Sequence, residues 1–315
     1  LIQEWRFSFS LNSVVFQFIF FVIKVKIFIM LLKPIEKKSG LTPETFQRDH
    51  FSSKTPVVFK DLSAQWPATT LWTFDYLKEK YGHIIVPLYG NDYHKPGKNY
   101  MVPRIKMPFG EYLDLIQAGP TELRMFLFNI FNHAPDLAKD VIMPTIMGGF
   151  VKEYPFMFFG GEGAVVNLHY DIDCSSVFLT QFHTRKRVIL FGPEQSKLLY
   201  QHPFTVQSHV NILNPDYDKY PALKYLQGWE TTIEHGETVY IPSTFWHFIH
   251  YVDGGFSISL RAHNSTATKL RGLWNISRHF AIDKGFNAVA GAQWKTWKEK
   301  QSIINANRAI ENAFE

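Results

Sequence analysis

His169-Tyr170-Asp171 is the pair of side chains in this sequence best placed to do chemistry. On a strand, positions i and i+2 project to the same face, so an imidazole and a carboxylate stand side by side as a two-point cation site. Two His and one carboxylate on one face of a metal leave the other positions open to a co-substrate and O2, the ligand set of a non-haem Fe(II) centre. A second His must then come from a distant strand, and His247, within Phe245-Trp246-His247-Phe248, is the leading supplier. Chance sets the bar: 13 His and 28 acids in 315 residues give about one His-x-Asp/Glu triplet, and the chain has two. The other, His235-Gly236-Glu237, contains a glycine and precedes a strand, so it reads as a turn. By pattern alone His169 and Asp171 stay open between metal ligands and a hydrogen-bonded pair in a sheet. His183, His250, His263 and His279 read as structural or surface histidines.

Rival chemistries leave no mark. The sequence has no glycine-rich phosphate loop ending in Lys-Ser/Thr, no Gly-x-Ser-x-Gly elbow, no His-Glu-x-x-His and no Cys-x-x-Cys. Its one cysteine, Cys174, excludes an intramolecular disulfide and a thiolate zinc cage, and reads as a small packed side chain. That cysteine usage fits a reducing compartment, so a cytoplasmic location is expected. The net charge of +5 is unevenly spread: residues 1–29 carry +2, residues 264–315 carry +4, and residues 30–263 sum to −1. The middle of the chain supplies no basic face, so no nucleic-acid partner is expected.

The elements that must hold such a site follow from patterning. Apolar residues are 46% and charged residues 19%, which excludes intrinsic disorder, and aromatics at 16% favour strands. In residues 30–150 the pattern is α/β. Helices are expected over 41–54, 74–81 and 107–117, and strands over 56–59, 84–88 and 123–130. From about residue 155, eight short apolar runs recur: 156–159, 165–170, 177–182, 187–191, 229–233, 238–241, 245–252 and 256–260. Gly- and Pro-containing turns separate most of them, which predicts an all-β barrel or sandwich over 151–263, with 193–227 inserted between strands. From Thr266 onward the pattern is helical. The expected fold is mainly β with flanking helices: a double-stranded β-helix (jelly-roll or cupin) barrel, an α/β N-terminal part and a helical C-terminal tail over 264–315.

Residues 1–29 stand apart. Val14 to Ile23 is apolar but only ten residues long before Lys24, short of the ~20 residues of a membrane span, so no membrane partner is expected. Met30 reads as the native start, with 1–29 as upstream sequence.

A larger set of residues resembles a known family. The matching pieces are Gly161-Glu162-Gly163 leading into Asn167-Leu168-His169-Tyr170-Asp171, then Gln181-Phe182 and Lys186 through Gln195. They continue with Asn214-Pro215-Asp216-Tyr217, Gly236 through Pro242, and Phe245-Trp246-His247. Upstream, Pro56-Val57-Val58, Trp66-Pro67-Ala68 and Trp72 through Leu77 belong to the same likeness. In order and spacing, residues 44–262 resemble the JmjC or cupin-like Fe(II)/2-oxoglutarate oxygenases, in the branch near the asparaginyl hydroxylase that inhibits hypoxia-inducible factor. The resemblance implies iron held by His169, Asp171 and His247, and it selects His247 over His250. It implies that Lys186 pairs with the distal carboxylate of 2-oxoglutarate.

Two positions depart from the family pattern. Where close relatives place Thr or Ser three residues before the first His, this chain has Val166, and where they place an upstream Tyr it has Phe126. Asn129 and His183 are the substitute donors weighed for that carboxylate. The function the resemblance implies is hydroxylation of a protein or peptide side chain. The alternatives are a non-catalytic module that binds metal or a small acid, and a dimeric interaction scaffold, since the tail matches in position the dimerising tail of relatives.

Overall fold

The computed structural model describes residues 29–91, 102–152, 155–263 and 265–314. Residues 1–29, expected to be upstream sequence, lie outside the described residues apart from Ile29.

The first strands are β1 (Leu31–Pro34), β2 (Lys37–Lys38), β3 (Val57–Phe59), β4 (Ile85–Tyr89), β5 (Ile105–Pro108) and β6 (Arg124–Met125). Among them lie helices α1 (Pro43–Phe46), α2 (Pro67–Leu71), α3 (Phe74–Tyr81) and α4 (Phe109–Ala118). Thr42 and Thr45 form a reciprocal cap at α1, which widens into a π-type turn over Gln47–Phe51. The strand expected over 123–130 is only two residues long. Leu127 takes a left-handed φ of 54° and ends it, and Asn129 starts a 3-10 turn.

All eight expected strands of the central region form. They are β7 (Phe156–Gly160), β8 (Val165–His169), β9 (Ser176–Phe182), β10 (Lys186–Phe191), β11 (Gln227–Ile233), β12 (Thr238–Ile241), β13 (Trp246–Tyr251) and β14 (Gly255–Ala262). Their assembly corrects the barrel expectation. The strands divide into a five-stranded sheet, β1-β11-β10-β13-β8, and a nine-stranded sheet, β2-β3-β12-β9-β14-β7-β6-β4-β5. Each has two edges, and among the described residues no ladder joins one sheet to the other, so the fold is a mixed α/β domain with two open sheets. Short strands of period two look alike in a closed barrel and in stacked sheets. Closure depends on hydrogen bonds between edges, which side-chain patterning does not specify.

The sheets meet face to face through side chains. Val177, Leu179, Val239 and Ile241 of the larger sheet share one core cluster with Val188, Leu190, Ile249 and Tyr251 of the smaller. A second cluster, with Phe46, Trp72, Phe109, Phe159 and Phe256, fills the other side of the larger sheet beneath α1–α4. The inserted stretch 193–227 covers the free edge of β8: Tyr170 N donates to Val206 O at 3.1 Å and Ser208 N to Leu168 O at 3.0 Å. An open edge beside a functional residue is thereby closed without another full strand.

The tail comprises α5 (Thr266–Arg278), a π-type turn (His279–Lys284) and α6 (Gly285–Phe314), with a backbone break at Gly291. Asp283 ties the pair together, accepting from Lys298 Nζ at 2.5 Å and Trp294 Nε1 at 2.9 Å. Phe204 of the insertion stacks on Trp294 and Trp297, so the tail packs on the strap that covers β8.

Candidate metal centre

Register brings the two imidazoles together. In the antiparallel pair β8–β13, His169 stands directly opposite His247, and the ring centroids are 4.2 Å apart. The register slips between this pair and Ile249–Val166, so β8 carries one extra residue there. Such a bulge re-aims side chains at a sheet rim. Asp171 follows in the turn after β8, and its Oδ1 is 4.0 Å from His169 Nε2. Two donors each ~2.1 Å from one ion lie at most ~4.2 Å apart, so this spacing suits a shared metal. The ligand atoms of His169, Asp171 and His247 all lie within 4.8 Å of one another.

The tautomers are fixed by backbone. His169 Nδ1 lies 2.8 Å from Asn167 O and His247 Nδ1 lies 3.2 Å from Phe245 O. A carbonyl only accepts, so each Nδ1 carries its proton and each Nε2 offers a lone pair, the arrangement a metal-binding His needs. Charge follows the same logic. Burial, with His247 beside it, pushes His169 down to about 3, and burial also lowers His247, so both rings are neutral near pH 7. Burial acts to raise the Asp171 carboxyl, but the Arg261 guanidinium beside it outweighs that and holds the group below its usual value.

The centre opens on a cavity of about 130 Å3 between the two sheets. Lys186, which opens β10, enters it from the smaller sheet and is 1% exposed. Its Nζ donates to Ser257 Oγ of the opposite sheet at 2.5 Å and lies 4.1 Å from the Tyr251 ring centroid. Gly160 makes this possible, because a Cβ there would stand 2.7 Å from the Tyr251 ring. Burial lowers Lys186 to about 7. Val166 and Phe126, the two departures from the family pattern, both line the cavity, as do Val177 and Leu179.

Asn129 is not brought into this lining. Its Oδ1 accepts from Phe131 N at 3.2 Å and caps a turn. His183 is also elsewhere, with Nε2 2.6 Å from Trp72 O and its ring stacked on His235. Sequence reasoning missed Ser257, Ser259 and Arg261, which line the cavity from β14. Their signal is the alternation Ser257-x-Ser259-x-Arg261 with Ile258 and Leu260 between, which puts three polar groups on one face of a buried strand.

Two neutral imidazoles and a carboxylate, converging beside a cavity that holds a buried ammonium, define a metal-dependent oxygenase site: this is the His/Asp/His triad typical of catalytic Fe(II)/2-oxoglutarate dioxygenases. The cupin-like domain family matches residues 43–263, and the chain belongs to the JmjC/cupin-like Fe(II)/2-oxoglutarate oxygenases. It is 30% identical over 242 residues to the lysine-specific demethylase JMJ30 of Arabidopsis thaliana, covering 72% of this chain and 54% of that protein. It is 28% identical over 258 residues to JmjC domain-containing protein D of Dictyostelium discoideum, covering 72% and 55%. It is 26% identical over 245 residues to tRNA wybutosine-synthesizing protein 5 of Gallus gallus, covering 70% and 74%. The chain thus spans about half the length of the first two relatives. Among the described residues no helix is long and apolar enough to cross a membrane.

Proposed function

We propose that this protein uses Fe(II) and 2-oxoglutarate to hydroxylate a side chain of a protein or peptide. The observation that carries the reading is the pairing of the triad with Lys186 across one cavity. An ammonium buried between two sheets, held among the described residues by the Ser257 hydroxyl and the Tyr251 ring, gains from an anion in the cavity. A dicarboxylate supplies it at one end and reaches the triad at the other. Iron held by His169, Asp171 and His247 supplies the redox chemistry of O2-dependent oxidation. The chain's own residues set the conditions. The carbonyls of Asn167 and Phe245 hold both Nε2 atoms toward the ion, Lys186 orients the co-substrate, and the apolar walls exclude water. Incubation with Fe(II), 2-oxoglutarate and a peptide library that presents every side-chain type tests this. Succinate and a +16 Da peptide are the expected products, and succinate stimulated by none of the peptides overturns the substrate class.

The narrower expectation, kinship with the asparaginyl hydroxylase branch, rests on the motifs alone. A second reading, oxidation of an RNA nucleoside, has one observation in its favour: the chain covers 74% of the wybutosine-synthesizing relative, more than of the demethylases. Unmodified tRNA in the same assay separates the two readings.

Val166 gives a prediction at the co-substrate. Val and Thr have nearly the same shape, so Val166→Thr adds a hydroxyl to the cavity wall, worth ~0.5–1.5 kcal/mol. The variant is expected to bind 2-oxoglutarate up to ~tenfold more tightly by calorimetry; an unchanged or weaker Kd sinks the role given to this position. The tail gives another. Leu270, Leu273 and Trp274 lie 60–65% exposed along one side of α5, with Phe280, Phe286 and Val289 also exposed nearby. An apolar stripe of this kind marks an interaction surface, and it supports a homodimer through the C-terminal helices. Sedimentation is expected to give twice the chain mass for the native protein and one chain mass for Trp274→Glu.

A further inference from the structure

Arg261 touches the metal centre, yet nothing in the proposed reaction uses it. Its guanidinium lies 3.2 Å from Asp171 Oδ1 and 3.1 Å from Asp171 Oδ2. The same group lies 3.1 Å from both oxygens of Asp173 and 3.4 Å from Ser175 Oγ. A carboxylate meant to bind a cation is therefore already engaged by one. Five charged groups lie in or beside the cavity around the neutral imidazoles: Asp171 and Asp173 against Arg124, Arg261 and protonated Lys186. They sum to +1, so a divalent ion alone raises the charge to +3, and a dicarboxylate added to it returns the charge to +1.

We propose that Arg261 makes this an anion-requiring metal site: it weakens the hold on a bare divalent cation and couples metal retention to a dianionic ligand in the same cavity. The inference rests on the proposed function for the identity of that dianion, but not for the effect on the bare metal. Two consequences follow from charge. Without Arg261 the centre stands at zero instead of +1, so a lone divalent ion meets less repulsion and binds more tightly. The dianion then meets +2 instead of +3 once the metal is bound, so it binds less well. Arg261 also spans two carboxylates that would otherwise repel each other, and a lysine keeps the charge but not the span. It is a positioning residue, acting through Asp171 and through the charge of the cavity.

The experiment is calorimetric titration of Mn(II) into the full chain as wild type, Arg261→Gln and Arg261→Lys, each with and without saturating 2-oxoglutarate, after thermal melts show that each is folded. For Arg261→Gln the bare-Mn(II) Kd is expected to fall by ~tenfold, as removal of a like charge beside a divalent ion requires. The factor by which 2-oxoglutarate tightens Mn(II) binding is expected to shrink by at least as much, while Arg261→Lys stays near wild type in bare-metal affinity. Bare-metal binding weakened in both variants, or unchanged in the Gln variant, overturns the proposal and leaves Arg261 as an orienting group or a bystander. If 2-oxoglutarate has no effect on Mn(II) binding to the wild type, the co-substrate reading fails, and the bare-metal comparison still decides the role of Arg261.

Discussion

His247→Ala is expected to remove metal-dependent turnover while leaving the fold in place. Structural metal sites are worth ~10–16 kcal/mol over about four ligands, so one ligand carries ~3–4 kcal/mol and its loss costs ~10²- to 10³-fold in affinity. Turnover falls further, because the remaining His169 and Asp171 no longer fix the ion on one face. The fold survives for local reasons. The imidazole projects into a cavity instead of close-packed core, and the hydrogen bond it gives up is one Nδ1–H to Phe245 O. Its strand neighbours Trp246 and Phe248 point the other way, into a separate cluster with Leu168, Tyr170 and Phe191. Far-UV circular dichroism of the variant should overlay that of the wild type, with Mn(II) binding lost in calorimetry and succinate release at background. A variant that kept near-normal succinate release would remove His247 from the centre. The same substitution at His250, whose side chain does not line the cavity, serves as the control and should change neither reading.

How much of this was legible beforehand divides along physical lines. His169 and Asp171 could be paired from spacing, because a strand's period of two is a local rule. The partner could not: His247 and His250 lie on the same short strand, and only the register of β13 against β8 decides which faces His169. Family likeness supplied that choice. The eight strands were readable from alternation and turns, whereas their division into two open sheets was not, since it depends on edge hydrogen bonds between distant segments. Lys186 sits in the run Arg185-Lys186-Arg187, which by composition is a solvated face. Its neighbours do turn outward, Arg185 to Asp253 and Arg187 to Glu230, while the middle lysine alone faces the cavity. Asn129 and His183 failed to reach the cavity because each is spent on nearby backbone. Arg261 and Ser257 were overlooked because a polar residue on a central strand gains meaning only when the facing sheet is known.

Lys186→Met is expected to cost the protein its co-substrate and to gain it stability. In the folded chain burial lowers this ammonium to about 7 from an ordinary 10.5. Below pH 7 it is charged in both the folded and the unfolded chain, and the folded chain bears the full penalty of holding that charge away from water. Between about 7 and 10.5 the unfolded chain keeps a proton that the folded one has lost, so stability rises with pH across that window. Methionine removes the penalty, so the variant's melting temperature should exceed that of the wild type at pH 6.5, with the gap narrowed to about half by pH 9 and closed only above about 10.5. The penalty is on the order of a few kcal/mol. Function pays the opposite way. A dicarboxylate that pairs with Lys186 requires the protonated form, so its apparent affinity for the wild type falls by up to ~tenfold per pH unit above 7 and binding draws a proton from the buffer. Titrations of 2-oxoglutarate in two buffers of different ionisation heat measure that uptake directly. In Lys186→Met the uptake vanishes, the Kd becomes flat with pH, and affinity near pH 7 drops by ~100-fold or more, the cost of losing one partner of a buried charge pair. A wild type that binds 2-oxoglutarate with no proton uptake and no pH dependence from 6.5 to 8.5 would show that the distal carboxylate rests elsewhere. The lysine is then a destabilising feature that the co-substrate role fails to explain, whereas proton uptake that disappears in Lys186→Met makes the dicarboxylate its partner.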